Sequence, residues 1–369
     1  MEQTQSEKRK AILAYVYAEK ENFDKILDEL ALLAGSADYE VVGKITQKRD
    51  RPDKSYYLGV GKLEELKNAV ISLDADIVIF DNDLTGSQFN NLEKYLGADV
   101  IDRSTVILEI FEKHAVSMEG KLQVELARKK HSLPRVLGQG FALSRQGGGG
   151  GGAAGARRGA GEQKSELDKR TIRSEIRSLE ERIEKLSKER QLRREKRQKN
   201  NIKQVCIVGY TNAGKSTLMN RLTKANVLVE NKLFATLDPT TKKLWLAPKK
   251  EFLITDTVGF ISRLPHEFID AFAGTLEETK YADLILHVVN GLEDDMLAQF
   301  DVVNEVLRKI GAEDIPVITV INKCENGTPA VIPADDEHVV FTSALTGEGI
   351  SELKDKISLS LFGESHIWE

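Results

Sequence analysis

A glycine-rich segment in the second half of the chain has the residue types and spacing that bind phosphate. The apolar run Val205–Val208 leads directly into Gly-Tyr-Thr-Asn-Ala-Gly-Lys-Ser at positions 209–216, and a helical pattern follows. Glycines at the two ends of such a loop let backbone N–H groups wrap around phosphate oxygens. Lys215 would reach the β- and γ-phosphates, and the hydroxyl of Ser216 would ligate Mg²⁺. The strand before and the helix after favour a phosphate-binding loop (P-loop) over an ordinary glycine turn.

A second polar segment, Asp256–Gly259, follows another apolar run about 45 residues further on. The Asp256 carboxylate can hold the shell of the same Mg²⁺, and the N–H of Gly259 can sense the γ-phosphate. An isolated D-x-x-G sequence is usually a turn, but its distance from the P-loop indicates a functional pair. Ras-like enzymes place a water-orienting glutamine immediately after this motif. This chain has Phe260 there, which cannot orient a water, so we expect slow intrinsic hydrolysis of the bound nucleotide.

Two further polar segments follow the last two apolar runs. Asn322–Glu325 reads Asn-Lys-Cys-Glu, and Thr342–Leu345 reads Thr-Ser-Ala-Leu. Together they resemble the guanine-recognition elements of GTPases, in which a carboxylate faces the N1–H and 2-amino group of guanine and repels adenine. The family pattern N-K-x-D has an aspartate where this chain has Glu325. We still expect guanine, because Ser343–Ala344 lies where these proteins read the guanine oxygen.

The threonine that ligates Mg²⁺ must lie between the P-loop and Asp256. The segment Phe234–Thr241 is the compact hydroxyl-rich loop in a suitable position. Spacing alone leaves Thr236, Thr240 and Thr241 as candidates. Resemblance to the F-x-T-L switch of bacterial ribosome-linked GTPases favours Thr236.

Asn212 has two candidate roles. P-loops of the form G-x-x-N-x-G-K-S occur in GTPases in which the asparagine helps to bind K⁺ against the phosphates, where an arginine finger otherwise supplies charge. Alternatively, Asn212 only braces its own loop. The residues expected to act in catalysis are Lys215, Thr236, Gly259 and Asn212, and those expected to hold Mg²⁺ are Ser216, Thr236 and, in its second shell, Asp256. The residues expected to bind GTP are Gly209, Tyr210, Thr211, Asn212, Ala213, Gly214, Lys215, Ser216, Thr217, Phe234, Ala235, Thr236, Leu237, Asp238, Asp256, Thr257, Val258, Gly259, Asn322, Lys323, Cys324, Glu325, Ser343, Ala344 and Leu345.

Composition and charge restrict the remaining functions. The 369 residues are 41% hydrophobic and 30% charged, which fits a globular chain of two or three domains and excludes a compositionally disordered one. No apolar run approaches the ~18 residues of a membrane helix, so we expect a cytoplasmic protein. The net charge is −5, but residues 121–203 hold 23 Lys and Arg against 10 Asp and Glu, a local charge of +13. Such segregation is typical of a nucleic-acid-binding segment, although a solvated helix face is the alternative.

Three regions with different patterns position these motifs. Residues 1–103 alternate strand-like and helix-like segments and predict a small α/β domain. Residues 104–200 predict an antiparallel helical hairpin, and residues 201–362 predict a P-loop GTPase domain with a doubly wound, mostly parallel sheet. Residues 363–369 form a tail.

The hairpin prediction rests on two helical patterns. The first runs from Ser104 and should end before Pro134. The second has a 4-3-4-3 seam that begins at Ile172 and ends at Leu186, and a glycine-rich tip loop should occupy about 138–161. Because the seam covers only about two heptads, it should pack on the preceding helix and not on another chain, so we expect a monomer.

Segments over nearly the whole chain resemble the HflX family of ribosome-associated GTPases. The matching segments are Tyr57–Lys62, Leu84–Leu92, Ile101–Arg103, Ile107–Phe111, Lys121–Ala127 and Leu143–Gly148. The resemblance implies a Mg²⁺-dependent GTPase whose hairpin binds the large ribosomal subunit and which splits or rescues stalled ribosomes. Arg145, Arg157 and Arg158, around the tip loop, are the candidate rRNA contacts.

Two other functions remain open at this stage. One is a GTP-dependent RNA chaperone or helicase-like enzyme that acts on free rRNA. The other is a regulatory protein whose GTP state controls a protein partner. In the N-terminal region, Gly59–Lys62 lacks the full P-loop spacing and predicts a turn before a helix, with a second, adenine-nucleotide site as the alternative.

Overall fold

The structure is a computed structural model of the full chain. It describes residues 8–18, 23–145, 154–223, 233–234, 237–247, 250–263, 268, 273–329, 331–333 and 338–363. The chain forms two compact units, one of residues 1–113 and 124–182 and the other of residues 114–123 and 183–369. This division passes through both helices of the hairpin. The predicted domain boundaries at 103/104 and 200/201 do not coincide with it and stay a prediction.

The first unit contains a four-stranded sheet in which every pairing is parallel, with strand order β2-β1-β3-β4. Its strands are β1 (Lys10–Tyr17), β2 (Glu40–Lys48), β3 (Ile77–Phe80) and β4 (Asp99–Asp102). Its helices are α1 (Phe23–Ser36), α2 (Val60–Ser72), α3 (Gly86–Leu96) and α4 (Arg103–His114). Helices cover the sheet, so the central strand β1 is buried almost throughout, as parallel strands require. The turn predicted over Gly59–Lys62 is instead an extended residue, Gly59, followed directly by the first turn of α2, which begins at Val60.

The second unit contains a six-stranded sheet with strand order β10-β9-β8-β5-β7-β6. Its strands are β5 (Lys203–Gly209), β6 (Thr240–Ala247), β7 (Lys250–Asp256), β8 (Leu284–Asn290), β9 (Val317–Asn322) and β10 (Val339–Phe341). Its helices include α7 (Lys215–Thr223), α8 (Ala273–Lys280), α9 (Met296–Lys309) and α10 (Ile350–Phe362). The mostly parallel sheet predicted for residues 201–362 is confirmed, since β10, β9, β8, β5 and β7 pair in parallel. The edge strand β6, which the sequence analysis did not identify, is antiparallel to β7.

Two long helices form the hairpin, α5 (Met118–Arg145) and α6 (Ala154–Lys199). Within the first unit, Lys129 pairs with Glu175 at 2.7 Å and Lys130 with Glu180 at 2.8 Å. Within the second unit, Glu119 pairs with Arg190 at 2.7 Å. Because low numbers on α5 meet high numbers on α6, the helices are antiparallel, as predicted. The seam residues Ile172, Ile176, Leu179, Ile183 and Leu186 are buried or half-buried.

Three details of the predicted hairpin are wrong. The helical pattern from Ser104 is interrupted at residues 115–117, which separate α4 from α5. Helix α5 continues through Pro134 to Arg145, because one proline removes a single backbone hydrogen bond and the following segment is rich in helix-forming Leu, Ala, Gln and Arg. The glycine loop predicted over 138–161 is also too long, since α6 begins at Ala154. Alanines and arginines there offset glycines that each cost about 1 kcal/mol.

None of the helices in the described ranges combines the length and the apolar character that crossing a bilayer requires.

A buried charge cluster lies at the carboxyl ends of β3 and β4 in the first unit. The Arg103 guanidinium donates to Asp81 at 3.0 Å and also to Glu29. Arg103 is 3% exposed and Asp81 is 4% exposed. The charges of Arg103 and Asp81 therefore compensate one another out of contact with water, where removal of one partner is costly.

Replacing Arg103 with methionine is expected to lower the free energy of unfolding by about 3–5 kcal/mol, because Asp81 stays buried without the guanidinium. Lys44→Met is the control, since Lys44 pairs with Asp28 at the surface at 2.7 Å. That change should cost less than about 1 kcal/mol. Urea denaturation of both variants tests this, and equal losses would show that the Arg103 cluster contributes no more than a surface pair.

Candidate functional site

The P-loop joins β5 to α7 and is shaped by close backbone contacts. A Cβ at Gly209 would lie 2.2 Å from the carbonyl oxygen of Val288 on the neighbouring strand, so a side chain does not fit there. Asn212 and Gly214 both have positive φ, at 60° and 94°. A Cβ at Gly214 would also lie 2.3 Å from Nδ2 of Asn322. The glycines are therefore required by the close approach of β8 and of Asn322 at the end of β9.

Lys215 lies at the centre of this loop and is 7% exposed. Its Nζ donates to the carbonyl oxygens of Gly209, at 3.1 Å, and Tyr210, at 2.8 Å. Burial lowers the pKa of Lys215 to about 8, and the nearby Asp256 carboxylate opposes that shift. The side chain thus presents a cation in a desolvated position, where a phosphate anion would stabilise its charged form.

Ser216 and Asp256 come from different elements and meet at the end of the sheet. The Ser216 hydroxyl, in the first turn of α7, donates to Oδ2 of Asp256 at 2.7 Å. Asp256 is the last residue of β7 and is fully buried. A hydroxyl and a carboxylate are oxygen ligands of the kind that Mg²⁺ prefers. No cluster of three or more His, Cys, Asp or Glu side chains suited to a metal was found within the described ranges. Among the described residues, a metal here would therefore be held by these two groups, together with phosphate oxygens.

Asn322, the last residue of β9, connects the P-loop to the loop after β10. Its Nδ2 donates to the carbonyl oxygen of Ala213 at 3.0 Å, and its Oδ1 accepts from the backbone N–H of Ala344 at 3.0 Å. The Thr342 hydroxyl also donates to Oδ1, at 3.4 Å. Asn322 is 2% exposed, so one buried amide fixes three polar segments that the sequence separates.

Glu325 follows in the short 3₁₀ turn Cys324–Asn326, after Lys323 with a φ of 68°. Its Oε2 is buried and has no hydrogen-bond partner among the residues that the structure describes. A buried carboxylate oxygen without a donor is unfavourable. The N1–H and 2-amino group of a guanine are donors that would satisfy it, which supports the predicted role of Glu325 despite its extra methylene.

The loop after β7 packs directly on the P-loop. The backbone N–H of Phe260 donates to Gly209 at 3.1 Å, and the N–H of Thr211 donates to Phe260 at 2.7 Å. A Cβ at Gly259 would lie 2.9 Å from Nζ of Lys215, so the D-x-x-G glycine leaves room for the P-loop lysine. The Phe260 side chain is 2% exposed and belongs to an apolar cluster with Val208.

The segment predicted to hold the switch threonine is described only in part. Ala235 and Thr236 lie outside the described residues, so the choice of Thr236 stays a prediction. Thr240 pairs with Asp256 in the β6–β7 register, and Thr241 forms a hydroxyl–hydroxyl hydrogen bond of 2.9 Å with Thr255. Among the described switch residues, Phe234 and Leu237 are buried.

Asp238, for which GTP binding stays a prediction, accepts hydrogen bonds from a distant part of the chain. Its Oδ2 accepts hydrogen bonds from the backbone N–H groups of Val116, at 2.8 Å, and Ser117, at 2.7 Å. These residues lie 122 and 121 positions earlier in the chain, immediately before α5. Sequence patterns carried no signal of this contact, because no motif links the two segments.

A second contact that the sequence analysis missed involves Tyr210. Its hydroxyl oxygen accepts the backbone N–H of Ser262 at 2.7 Å. The P-loop is therefore tied to the loop after β7 by a side chain as well as by backbone. The side chains of Arg145, Arg157 and Arg158, the predicted rRNA contacts, lie outside the described residues.

Three protein-family models match consecutive parts of the chain. A model described as "GTP-binding GTPase N-terminal" matches residues 24–112, and one described as "GTP-binding GTPase Middle Region" matches residues 114–197. A third, described as "50S ribosome-binding GTPase", matches residues 204–323. The last of these includes the P-loop, the D-x-x-G segment and Asn322.

Solved structures with the same fold include GDP complexes. The chain is similar to a structure described as a complex of SsGBP and GDP, with a TM-score of 0.52 and 26% identity over 95% of this chain and 97% of that chain. A GTP-binding protein from Sulfolobus solfataricus in complex with GDP has a TM-score of 0.50 and 24% identity, over 96% of this chain and 99% of that one. The second likeness shows the fold alone.

Bacterial relatives match over nearly the full chain. The GTPase HflX of Caldanaerobacter subterraneus subsp. tengcongensis is 47% identical over 367 residues, which are 100% of this chain and 84% of that protein. The GTPase HflX of Escherichia coli is 40% identical over 96% of this chain and 83% of that protein. With the three family models and the P-loop site, these identities show that the chain belongs to the HflX family of GTPases, enzymes that hydrolyse GTP.

Proposed function

We propose that this GTPase binds the large ribosomal subunit through its basic hairpin, and that it splits or rescues stalled ribosomes. GTP hydrolysis controls its binding and release in this proposal. The observation that carries it is the match of residues 204–323 to a family described as "50S ribosome-binding GTPase". The +13 segment of residues 121–203 supports it independently, because rRNA phosphates attract such a charge.

Many basic side chains of α6 are exposed, which supports an interaction with rRNA. The apolar seam residues of α6 are buried or half-buried, while basic side chains on its other faces are exposed to solvent. The exposed basic residues are Arg170, Arg173, Arg177, Arg182, Lys185, Lys188, Arg193, Lys196 and Lys199. Some of these are used within the helix, as in the pair of Lys188 with Glu184 at 2.8 Å. The tip residues Arg145, Arg157 and Arg158 remain the proposed rRNA contacts.

The site residues have separate roles in the proposed complex with GTP. The P-loop backbone and Lys215 hold the phosphates, and Asn322, Glu325 and Ala344 position the base. We propose that Ser216 holds Mg²⁺ with Thr236, and that Asp256 supports it through the Ser216 hydroxyl or a water. A bound Mg²⁺ would neutralise charge on the β- and γ-phosphates.

The glutamine that orients the attacking water in Ras-like enzymes has no counterpart after the D-x-x-G motif of this chain. The position is occupied by Phe260, whose ring is buried and cannot orient a water. Asn212 is exposed in the P-loop, and its side chain has no hydrogen-bond partner within the described part of the chain. We therefore propose that Asn212 helps to bind K⁺ against the phosphates instead of bracing its own loop.

Nucleotide choice is tested at Glu325. Glu325→Gln should lower GTP affinity at least tenfold, because a charge-assisted hydrogen bond is lost, and should favour xanthosine triphosphate, whose 2-oxygen accepts from an amide. Glu325→Asp, the matched control, should keep GTP binding. Competition binding measures all three proteins, and equal binding of ATP and GTP by the wild type would contradict the assignment of this site.

Cation dependence is tested by hydrolysis in KCl and NaCl at equal ionic strength. We expect at least about tenfold faster turnover in KCl, since an arginine finger that supplies comparable charge is worth ~10³–10⁵. Asn212→Ala should remove the difference between the two salts. If the wild type hydrolyses GTP equally in both salts and Asn212→Ala behaves like it, K⁺ has no role here.

Ribosome binding is tested by sedimentation with large subunits across a salt series. Replacing Arg145, Arg157 and Arg158 with alanine should reduce the salt slope by up to about three phosphate contacts and leave GTP affinity unchanged. The control removes an equal charge elsewhere, from the exposed residues Lys280, Arg308 and Lys309. If both triple variants sediment like the wild type, the hairpin charge is only solvated.

The alternative functions give different results in the same assay. An RNA chaperone would bind naked rRNA as well as it binds intact subunits. A regulatory partner protein would be retained after nuclease treatment of the complex.

A further inference from the structure

A carboxylate from the nucleotide-binding half of the second unit caps the start of the hairpin. Asp238 accepts hydrogen bonds from the N–H groups of Val116 and Ser117, at 2.8 and 2.7 Å, and from the Ser117 hydroxyl. The Ser117 Oγ in turn accepts the backbone N–H of Gly120 at 2.9 Å. These donors lie at the N-terminus of α5, where backbone N–H groups lack partners within the helix and the helix dipole favours a negative charge.

Gly120 leaves the space that this cap needs. A Cβ at this position would lie 2.5 Å from Oδ1 of Asp238. Any side chain there would therefore displace the carboxylate. The sequence Val-Ser-Met-Glu-Gly at 116–120 thus supplies two backbone donors, a hydroxyl and a cavity for one aspartate.

Asp238 is also closely connected to the predicted Mg²⁺ residues. Two residues after it, Thr240 begins β6 and pairs with Asp256 on β7. Asp256 accepts the Ser216 hydroxyl at 2.7 Å. Leu237, immediately before Asp238, is 1% exposed. Asp238 thus lies between the buried Leu237 and strand β6, whose first residue pairs with Asp256 at the phosphate site.

Ion pairs attach the hairpin at a second point. Glu119, in the first turn of α5, pairs with Arg190 of α6 at 2.7 Å, and Arg190 also contacts Glu277 of α8 at 3.2 Å. Arg197 reaches Glu278 at 3.4 Å. The Asp238 cap and these ion pairs both hold the base of the hairpin, and of the two the cap is nearer in sequence to the switch segment.

We propose that Asp238 is a positioning residue through which the bound nucleotide changes the order of the first turn of α5 and so the stiffness of the hairpin base. This regulation rests on the proposed function, because it requires a nucleotide at the P-loop. A nucleotide that displaces β6 or Leu237 displaces the carboxylate from its donors at 116 and 117. By linkage, loss of the cap must change the relative affinity for GTP and GDP by the same factor as the nucleotide changes the cap.

Hydrogen exchange of the full-length protein at the amides of Val116 and Ser117 tests this, with GDP or a non-hydrolysable GTP analogue at saturation. We expect the exchange rates in the two complexes to differ at least about fivefold, in keeping with the usual strength of a helix cap. Asp238→Ala should make exchange fast in both complexes, and Gly120→Ala should do the same without altering Asp238. Gly61→Ala is the matched control, because it also places alanine in the first turn of a helix but meets no atom within 4 Å; it should behave like the wild type.

Affinity provides an independent readout. Ser117→Ala removes two hydrogen bonds of the cap, the one that Oγ donates to Asp238 and the one that it accepts from the N–H of Gly120. It should shift the ratio of the GTP-analogue and GDP dissociation constants, whereas Gly61→Ala should not. If the wild type binds both nucleotides but exchange at 116 and 117 is the same in each complex, the inference is wrong and the proposed function stands. If neither nucleotide binds, the proposed function fails and the inference fails with it.

Discussion

The buried amide of Asn322 is the interaction on which the rest of the nucleotide site depends. It donates to the P-loop at Ala213 and accepts from Ala344 beyond β10, and both bonds are 3.0 Å long. The same amide explains why position 214 is glycine, since a Cβ there would lie 2.3 Å from Nδ2. An unsatisfied amide at this depth would be costly. The phosphate loop and the base loops are therefore held in one geometry before any ligand enters.

Around this amide, each functional group is held by a different strand of one sheet. The P-loop follows β5, Asp256 ends β7, Asn322 ends β9 and Ser343 follows β10. Parallel strands bring their carboxyl ends to one edge, where open α/β sheets bind ligands. Burial at this edge lowers the pKa of Lys215 to about 8. The packing that positions the groups thus also prepares the lysine to gain from a phosphate anion.

The sequence was sufficient to predict these elements, because their information is local. Each strand is a continuous apolar run, and each polar motif follows one directly, as Asn322 follows β9. The break between α4 and α5 could not be predicted, since it is stabilised by Asp238, which lies more than 120 residues away. The continuation of α5 through Pro134 was also missed. The rule that helices end before a proline describes a statistical bias, which the surrounding helix can outweigh. Thr236 illustrates a third case, in which the spacing of hydroxyl residues left several candidates open.

The role of Asn322 is tested most directly by comparing the binding of GTP with that of inorganic tripolyphosphate, which has no base. Asn322→Ala should lower the affinity for both ligands by at least about tenfold, because it removes the buried hydrogen bond that holds the P-loop at Ala213. Glu325→Ala, on the same loop, should weaken GTP alone. If Asn322→Ala binds tripolyphosphate like the wild type and loses only GTP, Asn322 merely reads the base, and the phosphate loop does not depend on it.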